Sequence, residues 1–159
     1  MDLRKTLLLG LGNIILGDDG IGIRIVREIR KKWAGRPQVD LVEASLAGMV
    51  LLDVIAGFDT VIVVDAIMTD DANAAGFVYE LTLDDLGELI LPYASHALDL
   101  KTTMELGKRL GYKMPETVHI YAVKIEENTV FTEKLTPQVE KALPIVAERV
   151  IKELDERPG

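Results

Sequence analysis

The stretch Gly10-Leu11-Gly12-Asn13-Ile14-Ile15-Leu16-Gly17-Asp18-Asp19-Gly20-Ile21-Gly22 is the densest concentration of special residues in the chain. Gly10 and Gly12 invite a dinucleotide reading, but the third glycine of G-x-G-x-x-G falls on Ile15. Two carboxylates also stand where a pyrophosphate would meet a helix N-terminus, so the segment favours a cation over an anion. The plainer alternative is that Asp18 and Asp19 cap the following helix and complement its dipole. Asp65 closes the apolar run Val61-Ile62-Val63-Val64 and sets a carboxylate at the rim between a buried element and its loop; a turn cap is the alternative there. The chain has two histidines. His119 falls inside the run Thr117 to Val123, where a packed or surface-facing imidazole is the simple account, whereas His96 follows Ser95 in a loop before a helix. Asp19, Asp65 and His96 together make an oxygen and nitrogen donor set suited to a divalent transition metal with open coordination positions.

Familiar hydrolase machinery fails by counting. Ser45 and Ser95 are the only serines and neither lies in a G-x-S-x-G elbow. His96 continues as Ala97-Leu98-Asp99-Leu100, so there is no H-E-x-x-H zinc motif, and Gly107-Lys108 lacks the glycine that opens a phosphate-binding loop. The catalytic group stays unassigned.

The elements that must bring these residues together can be read from periodicity. Thr6 to Leu9 and Thr60 to Val64 are short continuous apolar runs, as strands buried on both faces are. Ile21, Ile25, Ile29 and Trp33 recur at spacing four and predict an amphipathic helix over 20–33, its basic residues forming a solvated face. Val39 to Glu43 reads as a strand, Ala47 to Ile55 as a helix, Gly76 to Leu83 as an alternating strand, and Thr117 to Val123 as the last strand. A helix carrying Leu98, Met104, Leu106 and Leu110 follows the His96 loop. Thr136-Pro137 opens the final helix with a capping residue and a proline at its first position. Glu148 and Lys152 form a pair at spacing four on it, and Pro144 predicts a kink or break. Strands alternating with helices predict an α/β three-layer sandwich: a twisted, mixed but mostly parallel five-stranded sheet with helices on both faces, the 76–83 strand being the antiparallel member. In such sheets ligands gather beyond the carboxyl ends of the strands, where Asp19, Asp65 and His96 should converge.

Size and charge narrow the partners. The 159 residues, 48% apolar and 28% charged, fit one domain over 1–159. With 18 Lys and Arg against 26 Asp and Glu, the net charge of −8 repels nucleic-acid backbones and anionic lipid. The absence of cysteine removes disulfides, thiolate nucleophiles and iron–sulfur ligation. Arg4 and Lys5 before an apolar run mimic a secretion signal, but no cleavage pattern follows and no segment reaches membrane-spanning length, so no membrane insertion and a cytoplasmic location are expected.

The motif Gly10-Leu11-Gly12-Asn13 with Gly17-Asp18-Asp19-Gly20-Ile21-Gly22, then Val64-Asp65-Ala66, Ser95-His96 and Leu135-Thr136-Pro137, resembles the hydrogenase maturation endopeptidases in order and over nearly the whole chain. The resemblance implies an α/β sandwich and a protease that removes the C-terminal extension of a nickel–iron hydrogenase large-subunit precursor once nickel is in place. It implies Asp19, Asp65 and His96 as the metal-recognition residues, nickel carried by the substrate, and no resident organic cofactor. The family's glycine-rich turn after the second strand is replaced here by Ala44-Ser45-Leu46-Ala47-Gly48, and the glycine and Pro-Glu pair common near its last strand by Ala122-Val123-Lys124-Ile125-Glu126-Glu127. Ser45, Gly48 and Lys124 are the candidates for substrate contact. The altered turn keeps a second reading open, a non-catalytic metallation sensor or chaperone of the same large subunit.

Overall fold

The structure, a computed structural model, describes residues 3–45, 49–86, 96–126 and 130–158, without the side chains of residues 49 and 96–99. Five strands, β1 (Thr6–Leu11), β2 (Val39–Ala44), β3 (Thr60–Ile67), β4 (Val78–Leu81) and β5 (Thr117–Lys124), form one sheet in the order β2-β1-β3-β5-β4. All neighbours are parallel except β4, which runs antiparallel to β5. The expected mixed, mostly parallel five-stranded sheet is therefore found.

The continuous apolar character of β1 and β3 has a direct cause in the layers. Leu7, Leu9, Leu11, Val61 and Val63 pack on one face against Leu51 and Ile55 of α2 (Met49–Ile55), Leu86 of α3 (Leu83–Leu86) and Leu100 and Met104 of α4 (His96–Arg109). Leu8, Ile62 and Val64 pack on the other against Ile21, Ile25 and Ile29 of α1 (Ile21–Lys32) and Val139, Val146, Val150 and Leu154 of α5 (Pro137–Glu156). Each of these large side chains contributes roughly 1.5–3 kcal/mol on leaving water, and a period-two polar pattern would leave one helical layer unattached.

Several boundaries differ from the sequence expectation. β3 does not end before Asp65: its pairing with β5 continues through Asp65↔Ala122 to Ile67↔Lys124, so the carboxylate lies inside the strand. β4 is shorter than 76–83, because Leu83 already begins α3. α5 passes Pro144 without a break. Pro144 is exposed, so the carbonyl that loses its helical donor faces the solvent side of the helix, where water can replace the bond. Lys152 reaches Glu156 at 4.0 Å in place of Glu148. The basic side of α1 is also more than a solvated face: Arg27 and Arg30 clasp Glu43 on β2, and the Arg24 guanidinium donates to the Glu133 carbonyl.

Candidate active site at the carboxyl edge of the sheet

Glycines let α1 approach the ends of β1 and β3 as closely as backbone permits. A Cβ on Gly22 would stand 2.2 Å from the Val64 carbonyl oxygen and 2.4 Å from that of Leu11; one on Gly10 would meet the Gly22 oxygen at 2.7 Å. Between strand and helix, Gly12 adopts φ +140°, and a Cβ there would collide with the Asp19 carbonyl oxygen at 2.1 Å. The Gly-x-Gly-Asn and Asp-Asp-Gly-x-Gly halves of the motif are thus the two sides of one turn. Asn13 shapes it, its side-chain oxygen accepting from Ile15 N at 3.2 Å and its carbonyl from Leu16 N at 3.1 Å. A 3-10 turn over Gly17–Gly20 leads into α1.

The adjacent carboxylates of this turn do different things. Neither caps α1, whose N-cap position is Gly20 and which has no side-chain cap. Asp18 accepts from Thr136 N at 2.8 Å through Oδ1 and from the Thr136 hydroxyl at 2.7 Å through Oδ2. Asp19 accepts from Asn13 N at 2.9 Å through Oδ2, and among the described residues its Oδ1 takes no hydrogen bond. Both residues are 7% exposed. A buried carboxylate with one oxygen anchored and the other open is arranged as a metal ligand or acid–base group would be.

Asp65 is 1% exposed, and its Oδ1 accepts from Ala66 N at 2.8 Å. It alternates with Val63 and Ile67, so its side chain lies on the α4 face of β3. The 3-10 turn that carries Asp19 packs against the same strand, bringing the two acidic residues to one edge. His96 is the first residue of α4. That helix returns through Lys113 and Glu116, which bond Gly57 N and the Asp59 carbonyl at the amino edge, so its first turn belongs at the carboxyl edge; the His96 side chain lies outside the described residues.

The substrate-contact candidates fare differently. Ser45 is exposed just beyond the end of β2, and Gly48 lies outside the described residues. Lys124 shares the α4 face with Asp65 through the Ile67↔Lys124 register, but its side chain is only 5% exposed and its ammonium donates to Asp71 Oδ1 and to the Asp71 carbonyl, both at 2.9 Å. The Tyr79 hydroxyl also donates to Asp71, and with Lys124 it holds that carboxyl far below its usual range, while Asp71 in turn raises Lys124. Lys124 thus secures the loop after β3 through Asp71.

His119, expected to be packed or surface-facing, is half-buried, and its partner is Glu153 of α5: Nδ1 lies 2.7 Å from Oε2, and Tyr121 donates to the same oxygen at 2.6 Å. The Glu153 contact raises the His119 pKa against the opposing effect of burial. Burial alone would raise Glu153, but hydrogen bonds from His119, Tyr121 and Arg157 outweigh it and bring it down to about 2. Thr136 is the site-edge residue that its sequence neighbourhood disguised. It occupies the N-cap of α5, yet its side chain makes no capping bond and is spent on Asp18. The Leu135-Thr136-Pro137 motif was the available signal.

These features define a mixed α/β protein with an acidic, glycine-moulded turn over the carboxyl ends of its central strands. The family model of the HycI hydrogenase maturation proteases matches residues 23–153. The Hydrogenase 2 maturation protease of Escherichia coli K12 is 31% identical over 153 residues, covering 96% of this chain and 92% of its own. The solved structure of the hydrogenase maturating endopeptidase HybD from E. coli superposes with a TM-score of 0.83 at 30% identity, covering 96% of this chain and 93% of the other. A [NiFe] hydrogenase maturation protease HybD from Thermococcus kodakarensis shares the fold at 22% identity and a TM-score of 0.72 over 94% and 99% of the two chains. The chain belongs to the hydrogenase maturation protease family.

Proposed function

We propose that this chain is the endopeptidase that removes the C-terminal extension from a nickel-loaded [NiFe]-hydrogenase large-subunit precursor, with Asp19, Asp65 and His96 engaging the nickel that the substrate carries. The observation that supports this reading is that two residues more than nine-tenths buried, Asp19 and Asp65, belong to elements packed together at one sheet edge, and that one oxygen of Asp19 takes no hydrogen bond. The Asp19 oxygen that takes no hydrogen bond can serve as a ligand to a divalent ion presented by the substrate. Family membership supports the peptidase role, and the oxygen and nitrogen donors suit nickel. An ion so held can polarise a scissile carbonyl or acidify a water. The chain's own part is to recognise metallation and to hold the tail at the rim. Among the described residues no helix is long and apolar enough to cross a membrane.

The test is to mix the purified chain with precursor, with and without nickel, and to read the mass of the large subunit. Shortening only with nickel supports the proposal. Binding without shortening favours the sensor or chaperone reading, which the Ala44-Ser45-Leu46-Ala47-Gly48 departure motivates. Loss of shortening in Asp19→Ala and His96→Ala, with folding intact, is expected; full activity in either removes that residue from the site.

A further inference from the structure

Asp18 and Thr136 are 118 residues apart, yet they are joined by two bonds, Thr136 N to Oδ1 at 2.8 Å and the Thr136 hydroxyl to Oδ2 at 2.7 Å. A threonine at a helix N-cap ordinarily turns its oxygen toward the first free amides of its own helix. Here the helix goes without that bond, and the hydroxyl donates away from it. Proline at the next position lightens the loss, since it has no amide proton to satisfy.

The link is reinforced on both sides. Thr132 N donates to the Ile15 carbonyl at 2.9 Å and Gly17 N to the Thr132 carbonyl at 2.7 Å, so the segment before α5 runs alongside the Asp19 turn. α5 itself is fixed to the sheet by Val139, Ala142, Val146, Val150 and Leu154. A short glycine-flanked turn has little internal stiffness. Bolting Asp18 to a packed helix gives it a rigid reference, and Asp19 is the next residue.

We infer that the Asp18–Thr136 pair is a positioning device for the metal-recognition site, holding the 3-10 turn so that Asp19 Oδ1 faces the incoming ion. The inference rests on the proposed role of Asp19. It divides the Asp-Asp pair into one residue that contacts the metal and one that aims its neighbour. Outer-shell partners of this kind commonly change metal affinity by about 10–100-fold when removed.

Calorimetric titration with nickel(II) alone, and the visible absorption of the cobalt(II) form, test it on four full-length chains: unaltered, Thr136→Val, Thr136→Ser and Asp18→Asn. Thr136→Val keeps the shape and the backbone bond but loses the hydroxyl; it is expected to weaken nickel binding about tenfold and to shift the cobalt spectrum, with helical content unchanged. Thr136→Ser restores the donor and is expected to restore both readouts. Asp18→Asn, which keeps an acceptor for Thr136 N, is expected to weaken nickel binding as well and supplies the comparison if Thr136→Val does not fold. Unaltered affinity and spectrum in a folded Thr136→Val or Asp18→Asn chain overturn the inference while leaving the metal site standing. Failure of the unaltered chain to bind nickel overturns this inference, whereas the metal reading itself falls only if the precursor is shortened equally with and without nickel.

Discussion

Two side chains of identical chemistry, one residue apart, are given different work by their partners. Asp18 is saturated by Thr136, whereas Asp19 keeps an oxygen open above the strand ends. The sequence displays both carboxylates and justifies looking for a cation there, but it does not rank them, because the donor that occupies Asp18 lies 118 residues away. Asp65 stands out in the sequence for the opposite reason, as a carboxylate after four consecutive apolar residues, but that it lies inside the strand and not at its end depends on pairing with β5. The expected consequence is an asymmetry in mutants. Asp19→Asn keeps the acceptor for Asn13 N and the residue's volume, so its denaturation midpoint should stay close to that of the unaltered chain while nickel-dependent cleavage is lost. Equal losses of stability and of cleavage would show Asp19 to be scaffold.

At the scale of elements, the decisive contact is α1 against β1 and β3. The amphipathic period of α1 and the apolar runs of both strands were readable, and so was their parallel arrangement. The closeness of approach was not, since it depends on carbonyl oxygens that a sequence does not show: Val64 O and Leu11 O occupy the space a Gly22 side chain would need. Gly22→Ala must therefore push α1 off the sheet, at a cost of about 3 kcal/mol, measurable as a fall in the urea midpoint. The same displacement would carry the Asp19 turn with it, so cleavage should fall further than the lost folded fraction explains. Gly35→Ala is the control for substitution as such: nothing lies within 4 Å of a Cβ there, and only its φ of +83° is unfavourable. Strand length escaped the sequence reading for a related reason, as β3 is prolonged past Asp65 by its neighbour β5, not by its own composition.

Across the whole molecule, α5 ties the candidate site to the far side of the domain. Its first turn is bolted to Asp18, and its last turns meet the sheet and α1 through Glu153 and Asp155, the latter accepting from Trp33 Nε1 at 2.9 Å. The layered α/β arrangement was legible because alternating strands and helices admit few other solutions, but this long-range bracing was not, and His119 read in isolation gave no hint of Glu153. The pair makes a prediction in pH. His119 is raised above its ordinary 6.5, so its contribution to stability is complete below about pH 6.5 and fades as pH rises through the higher folded value. Glu153 is lowered from 4.5 to about 2, so its contribution is complete above about pH 4.5 and fades as pH falls toward 2. Glu80 at 3.9 Å from His119 acts in the same direction as Glu153, whereas Arg157 opposes it. Comparing unaltered chain with Glu153→Gln cancels the remaining carboxylates of this acidic protein. The stability difference should be greatest between about pH 4.5 and 6.5, at about 2 kcal/mol for charge-assisted bonds, and should shrink toward either side. In the variant the His119 ring signals should titrate at lower pH by NMR. A difference that stays flat from pH 3 to pH 9 would mean that α5 is held by its apolar face alone and that the ion pair is incidental.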